Sequence, residues 1–135
     1  MSDTTQTFQL TDAQLESVTQ QDDSITLNFS KIHLIQEMEG AIEDSFWTQA
    51  VTLKINGTET IGDLPDCPCE LKGGDMTNNI YTYRNHAPLP INWDGDVSIK
   101  LIIKDIDTPC TIIGTAMQLE QIGHPVYIKH MKKQL

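Results

Sequence analysis

The chain has 135 residues, of which 39% are hydrophobic and 21% are charged, so its size and composition are those of one ordinary globular domain. Nineteen acidic residues against nine Lys and Arg give a formal net charge of −10. Such a surface repels phosphate backbones and anionic lipid headgroups, which excludes nucleic acid as an expected ligand. The sequence shows neither the basic and apolar regions of a secretory signal nor an apolar run of membrane-spanning length. We therefore expect a cytoplasmic protein.

Residues 1–23 form a polar leader, because they carry five acids and no base. Within this leader Thr11 and Gln14 have the spacing of a capping box, and a narrow apolar stripe follows the helical period. The pattern predicts a short helix over residues 12–20. Its apolar stripe would consist of Leu10, Leu15 and Val18.

From Ser24 onward the hydrophobic pattern changes to a period of two, which is typical of half-buried β-strands. The first strand follows this alternation as far as Phe29, and the apolar parity then shifts so that Ile32 takes the next inward position. A single inserted residue has this effect on a strand. The shift therefore predicts a β-bulge between these two residues.

Turn residues divide the middle of the chain. Asn56-Gly57 fits a tight type I′ turn, so we expect residues 58–61 to form a hairpin with the strand before it. Prolines and glycines crowd the next segment, which favours only a short edge strand at residues 70–72 and a turn at residues 73–75.

Residues 97–103 alternate most clearly between apolar and polar, and residues 111–119 and 126–130 form two further strands. Seven or eight short strands separated by turn residues predict an all-β fold, a single antiparallel β-sandwich over residues 24–135. The apolar faces of these strands predict a core that includes Leu27, Phe29, Trp47, Leu53, Ile99, Leu101 and Ile103.

No catalytic motif is present in the sequence: it has no nucleophile elbow, no phosphate-binding glycine loop and no histidine pair at helical spacing. Three cysteines, an odd number, argue against a disulfide framework. Cys67 and Cys69 lack the two-residue spacing of a redox or zinc motif, so we expect buried or loop thiols; zinc would have to recruit Cys110 or a histidine. We predict a protein that is not an enzyme, and a catalytic site assembled from dispersed residues is the least favoured alternative.

Two acidic segments are candidates for cation binding. Asp105 and Asp107 continue the parity of the strand before them, so both carboxylates project to one side if the chain stays extended. The second segment, residues 37–44, connects the first two strands around Gly40. If the two segments meet at one end of the sandwich, their oxygens suit calcium, which takes about six to eight oxygen ligands. The alternative is that these loops only keep the protein soluble, because acidic loops are expected by chance on so acidic a chain.

Within residues 32–47 a strand leads into an acidic loop that ends at Asp44, shortly before an aromatic residue. Residues 97–107 form a strand that ends in Asp105-x-Asp107, and the Ile113-Gly114 pair follows it. Together with residues 78–83, this order resembles the C-two domain, the calcium- and phospholipid-binding β-sandwich of protein kinase C, over about residues 24–120. The resemblance implies a cation site formed by Glu39, Asp44, Asp105 and Asp107. Residues 108–112 lack a further acid that the family usually carries, so we expect calcium to bind weakly, at about 10⁻⁴ M or poorer.

We therefore expect a non-catalytic interaction module of C-two-like type that engages a protein partner through loops or edge strands. The alternative is calcium-dependent membrane docking, in which the bound cation offsets the carboxylates and the loop tips meet lipid. No cofactor is expected beyond weakly bound calcium. The basic residues near the C-terminus are too few for a basic run and are expected to form a solvated tail. They are His124, Lys129, His130, Lys132 and Lys133.

Overall fold

A computed structural model describes residues 4–38 and 40–132 and shows an all-β protein. That part of the chain contains no helix long and apolar enough to cross a membrane. The strands are β1 (Thr4–Gln21), β2 (Ser24–Met38), β3 (Glu43–Asn56), β4 (Glu59–Ile61), β5 (Cys69–Asn78), β6 (Tyr81–Arg84), β7 (His86–Pro88), β8 (Asn92–Ile103) and β9 (Cys110–Lys132). The predicted all-β fold is confirmed, with nine strands in the described residues where seven or eight were expected.

All strands belong to one antiparallel sheet, in the order β6-β5-β8-β9-β3-β2-β1-β7, with β4 added along β9. The sheet also folds back on itself, because β1 pairs with β5 at two positions, Gln14 with Glu70 and Leu15 with Cys69. Six strands (β1, β2, β3, β9, β8 and β5) therefore enclose a common core in a sandwich-like arrangement. We call this part of the sheet the closed region.

The core lies inside the closed region and is built from alternate residues of its strands, as the period of two predicts. Six of the seven predicted core residues are buried. Trp47 is the exception, because it is only partly buried and packs against the edge of the core. The largest fully buried side chains are Phe8, Leu10, Leu15, Ile25, Leu27, Ile32, Leu34, Leu53, Ile55, Leu71, Met76 and Ile91.

The predicted helix at residues 12–20 is wrong. These residues lie in β1, and residues 4–21 belong to the same sheet and core as the strands that follow. A bulge explains the error: the pairing of β1 with β2 shifts between Gln9 and Gln14, and Asp12 takes a positive φ of 62° there. Extra residues in a strand stretch the apolar spacing from two to three, which imitates one face of a helix.

The predicted bulge in the following strand is confirmed, because the pairing of β2 with β3 shifts between Phe29 and Ile32. The predicted hairpin after Asn56 is wrong. A type I′ turn needs a positive φ at both central residues, and in the described chain only Gly57 of this pair has one, at 63°. The chain therefore does not reverse, and β4 continues along β9 where β3 ends.

The predicted strand at residues 70–72 is confirmed but is not an edge strand, and the predicted turn at residues 73–75 is wrong, since both segments lie within β5. This strand pairs with β8 on one side and with β6 and β1 on the other, so it is an interior strand. Glycine serves close packing here: a Cβ at Gly74 would lie 2.1 Å from the carbonyl oxygen of Lys100 in β8. Gly74 therefore marks a close approach of two backbones.

The two last predicted strands are parts of one strand. The 23-residue β9 pairs with β8 up to Gln118 and with β3 from Ala116 to Lys132. Its first part therefore lies in the interior of the sheet, whereas its second part has a neighbour on one side only. This second part extends the sheet beyond the closed region.

Candidate interaction surface

The predicted cation ligands lie in two places. Asp44 is a buried residue at the start of β3, opposite Met131 of β9. Asp105 and Asp107 are exposed in the loop between β8 and β9, and Glu39 lies outside the described residues. Within residues 4–38 and 40–132, no group of three or more His, Cys, Asp or Glu side chains is arranged to hold a metal ion. Calcium binding by these four residues stays a prediction.

Three thiols carry raised pKa values. Burial, followed by the neighbouring Cys67 thiol, raises the pKa of Cys69 to about 11. Burial also raises the pKa of Cys67 and of Cys110, which lies in the core. Since the thiolate is the reactive form, thiols with these pKa values are poor nucleophiles at neutral pH.

The second part of β9 presents an open edge, which we define as residues 120–132. Its pairs with β3 run from Glu120 opposite Thr52 to Lys132 opposite Glu43. On the other side β8 ends its pairing at Gln118, and among the described strands none continues it. An edge of this kind offers a row of backbone N–H and C=O groups to another chain.

Apolar side chains accompany this open edge. Four of its residues are exposed by 44–62%: Ile122, Val126, Tyr127 and Ile128. Exposed apolar side chains on an edge strand favour association with a further strand, because pairing then removes both polar backbone and apolar surface from water. The open edge therefore combines the two features that strand addition requires.

Contacts with β3 hold the open edge in place. The rings of Trp47 and Tyr127 pack edge to face with their centroids 5.3 Å apart, and the Tyr127 hydroxyl is hydrogen-bonded to the His130 ring. On the opposite face the ammonium group of Lys129 lies 5.9 Å from the centre of the Phe46 ring. The strand is thus fixed on both faces, which lowers the entropy lost when a partner binds.

A network of amide side chains supports the point where the open edge leaves the closed region. Gln121 donates to Gln49 at 2.9 Å and to Gln6 at 3.4 Å, which connects β9 with β3 and β1. Gln49 in turn donates to the carbonyl oxygen of Gly123 at 2.9 Å. The last of these bonds gives a partner to a backbone carbonyl of β9 at the register shift between Thr48 and Ala50.

The open edge differs in charge from the molecule that carries it. It contains two lysines and two histidines against one glutamate, in a chain whose formal net charge is −10. Lys129 is exposed within it. A partner with acidic residues would therefore meet attraction at this edge and repulsion over most of the remaining surface.

The other strand edges are shorter. β6 has four residues and β7 has three, and β7 ends in a proline, which cannot donate a backbone hydrogen bond. Short edges and proline are devices by which proteins prevent unwanted strand pairing. Pro125 and the register shift beside it also interrupt the open edge of β9, but residues 126–132 beyond it, which pair with β3 alone, form a longer unpaired side than β6, β7 or residues 17–21 of β1, which pair with β2 alone.

The bases that were expected to form a solvated tail include residues of the strand predicted at residues 126–130. The structure places Lys129 and His130 within β9, while Lys133 lies outside the described residues. The sequence feature that indicates a strand here is the presence of Val126 and Ile128 beside the basic residues, because a solvated tail is usually polar throughout.

The chain matches no protein-family model, no curated protein sequence and no solved structure. The resemblance to the C-two domain is not tested by these comparisons and stays a prediction. The fold and the open edge of β9 are therefore the features that bear on function.

Proposed function

We propose that this protein is a non-catalytic interaction module whose open β9 edge binds an extended segment of a partner protein. The observation that carries the proposal is the combination, within residues 120–132, of one unpaired strand side with exposed apolar side chains. An added strand gains main-chain hydrogen bonds for affinity, and its alternate side chains give specificity.

The chemistry of the edge indicates the kind of segment that would bind. β-branched residues suit the exposed Val126 and Ile128, and acidic residues suit Lys129. We therefore expect the partner to contribute a short segment in which β-branched and acidic residues alternate.

A displayed library of random short peptides tests this proposal. We expect the selected peptides to be rich in Glu, Asp, Val, Ile and Thr and to lose binding when alternate amides are N-methylated, because methylation removes the ladder and leaves the side chains intact. Amide hydrogen exchange with a selected peptide should show protection in residues 120–132. Protection confined to another part of the chain would contradict the proposal.

Charge reversal supplies a matched pair of variants. Lys129→Glu should weaken binding of the acidic peptides roughly fivefold or more, since an ion pair of about 1 kcal/mol is replaced by repulsion. Lys54→Glu makes the same charge change within β3, where both neighbouring strands are present, and should leave binding nearly unchanged. Equal weakening by both variants would mean that overall charge, not the open edge, attracts the peptide.

A further inference from the structure

A cavity of about 450 Å³ lies between two loops, away from the open edge. One loop connects β4 with β5, and the other connects β8 with β9. This volume is within the range of small-molecule sites in proteins, which is about 300–1,000 Å³. The lining residues are Gly62, Asp63, Leu64, Pro65, Asp66, Cys69, Ile103, Lys104, Ile106 and Thr108.

The walls of the cavity are largely apolar. Ile103 is only 5% exposed and belongs to the core, and Leu64 packs against that core. Ile106, in contrast, is 55% exposed and also lines the cavity. A hydrocarbon group placed here would cover apolar surface that water now contacts.

Charge at the cavity is negative. Lys104 is the one basic residue in the lining, and its ammonium group lies 2.7 Å from Glu70 and 3.1 Å from Asp12, so its charge is already compensated. The lining acids Asp63 and Asp66 are exposed. An anionic ligand would meet repulsion from them, whereas a cation would be attracted.

We propose that this cavity binds a small organic cation, a primary amine attached to an apolar body of about the size of one aromatic ring. The body lies against Leu64, Ile103 and Ile106, and the ammonium group is held by Asp63 and Asp66. This binding site is additional to the proposed function, because none of its residues belongs to the open edge.

Three ligands of nearly equal shape test the proposal on the unmodified protein: 2-phenylethylamine, 2-phenylethanol and phenylacetate. In calorimetry and protein NMR the amine should bind saturably, the neutral alcohol should bind about tenfold more weakly, and the anion should show no binding. Equal binding of amine and alcohol, or no saturable binding of the amine, would overturn the proposal.

A pair of double variants locates the charge effect. Asp63→Asn/Asp66→Asn should reduce amine affinity about tenfold and leave alcohol binding unchanged. Asp22→Asn/Asp23→Asn removes the same charge from the turn between β1 and β2 and should leave both ligands unaffected. An equal loss in the two double variants would assign the preference to net charge and overturn the site. Because all four acids are exposed, both proteins are expected to fold, and thermal unfolding checks this.

Discussion

The two parts of β9 differ in the strands that pair with them and in the burial of their side chains. In the closed region, residues 110–118 have neighbours on one or both sides, and Cys110, Ile112 and Met117 are at most 1% exposed. In the open edge the same strand keeps its pairing with β3, but Val126 and Ile128 are 62% and 46% exposed. The difference arises because β8 ends while β9 continues.

The alternation of apolar and polar residues has different consequences in the two parts of β9. Where a second sheet layer covers a strand, alternate apolar residues form the core and stabilise the fold. Where no layer covers the strand and one of its sides has no neighbouring strand, the same residues remain in water. The stability of this protein should therefore depend on the closed region, and the proposed binding of a partner segment on the open edge.

The largest effect is expected from truncating the same residue type in the two parts of β9. Ile112→Ala removes a fully buried side chain and should lower the free energy of unfolding by about 2–5 kcal/mol. Ile128→Ala removes a side chain that is 46% exposed and should change it by less than about 0.5 kcal/mol. Chemical denaturation of both variants measures the difference. A large loss for Ile128→Ala would mean that the open edge is covered in the free protein.

A smaller effect is expected where two backbones meet in the closed region. Gly74→Ala places a Cβ 2.1 Å from the carbonyl oxygen of Lys100, so β5 and β8 must move apart. We expect a loss of about 1–3 kcal/mol in the free energy of unfolding, as for other overpacked sites. Amide exchange should become faster in β5 and β8 but not in residues 126–132. An unchanged free energy would show that the two strands separate here without loss.

The sequence was sufficient for the fold class and for most of the core, because alternation survives wherever strands pair regularly. The bulge after Phe29 was predicted correctly because it shifts the parity by one residue. The larger register shift between Gln9 and Gln14 was not recognised, since it turns strand spacing into an apparent helical period. The spacing of apolar residues therefore predicts the wrong secondary structure where a bulge inserts as many residues as one period of the strand pattern.

Long-range pairing was less accessible to sequence reasoning. Asn56-Gly57 resembles a hairpin turn, but whether the chain reverses depends on β9, a strand far along the sequence. Likewise, the open edge exists because β9 is longer than β8, and no short sequence motif indicates this difference in strand length. The bases near Lys129 were visible, yet their position on an edge strand follows only from the topology.

The smallest effect is expected at the seam that closes the sheet, where β1 and β5 share only two residue pairs. Lys104 joins both strands through Glu70 and Asp12, and hydrogen bonds to these carboxylates raise its pKa. A lysine whose pKa is higher in the folded state stabilises the fold below the unfolded pKa of about 10.4, and this contribution disappears as the pH rises through the folded value.

Lys104→Met should therefore lower the midpoint of denaturant unfolding slightly and by a constant amount from about pH 7 to pH 9, and the difference from the unmodified protein should shrink above about pH 10.5. High salt should also reduce the difference, because the group is exposed to solvent. Lys54→Met, a change in β3 away from the seam, serves as the control. If the two variants respond alike to pH and salt, Lys104 does not stabilise the closure, and the two backbone pairs hold the seam with the core beneath them.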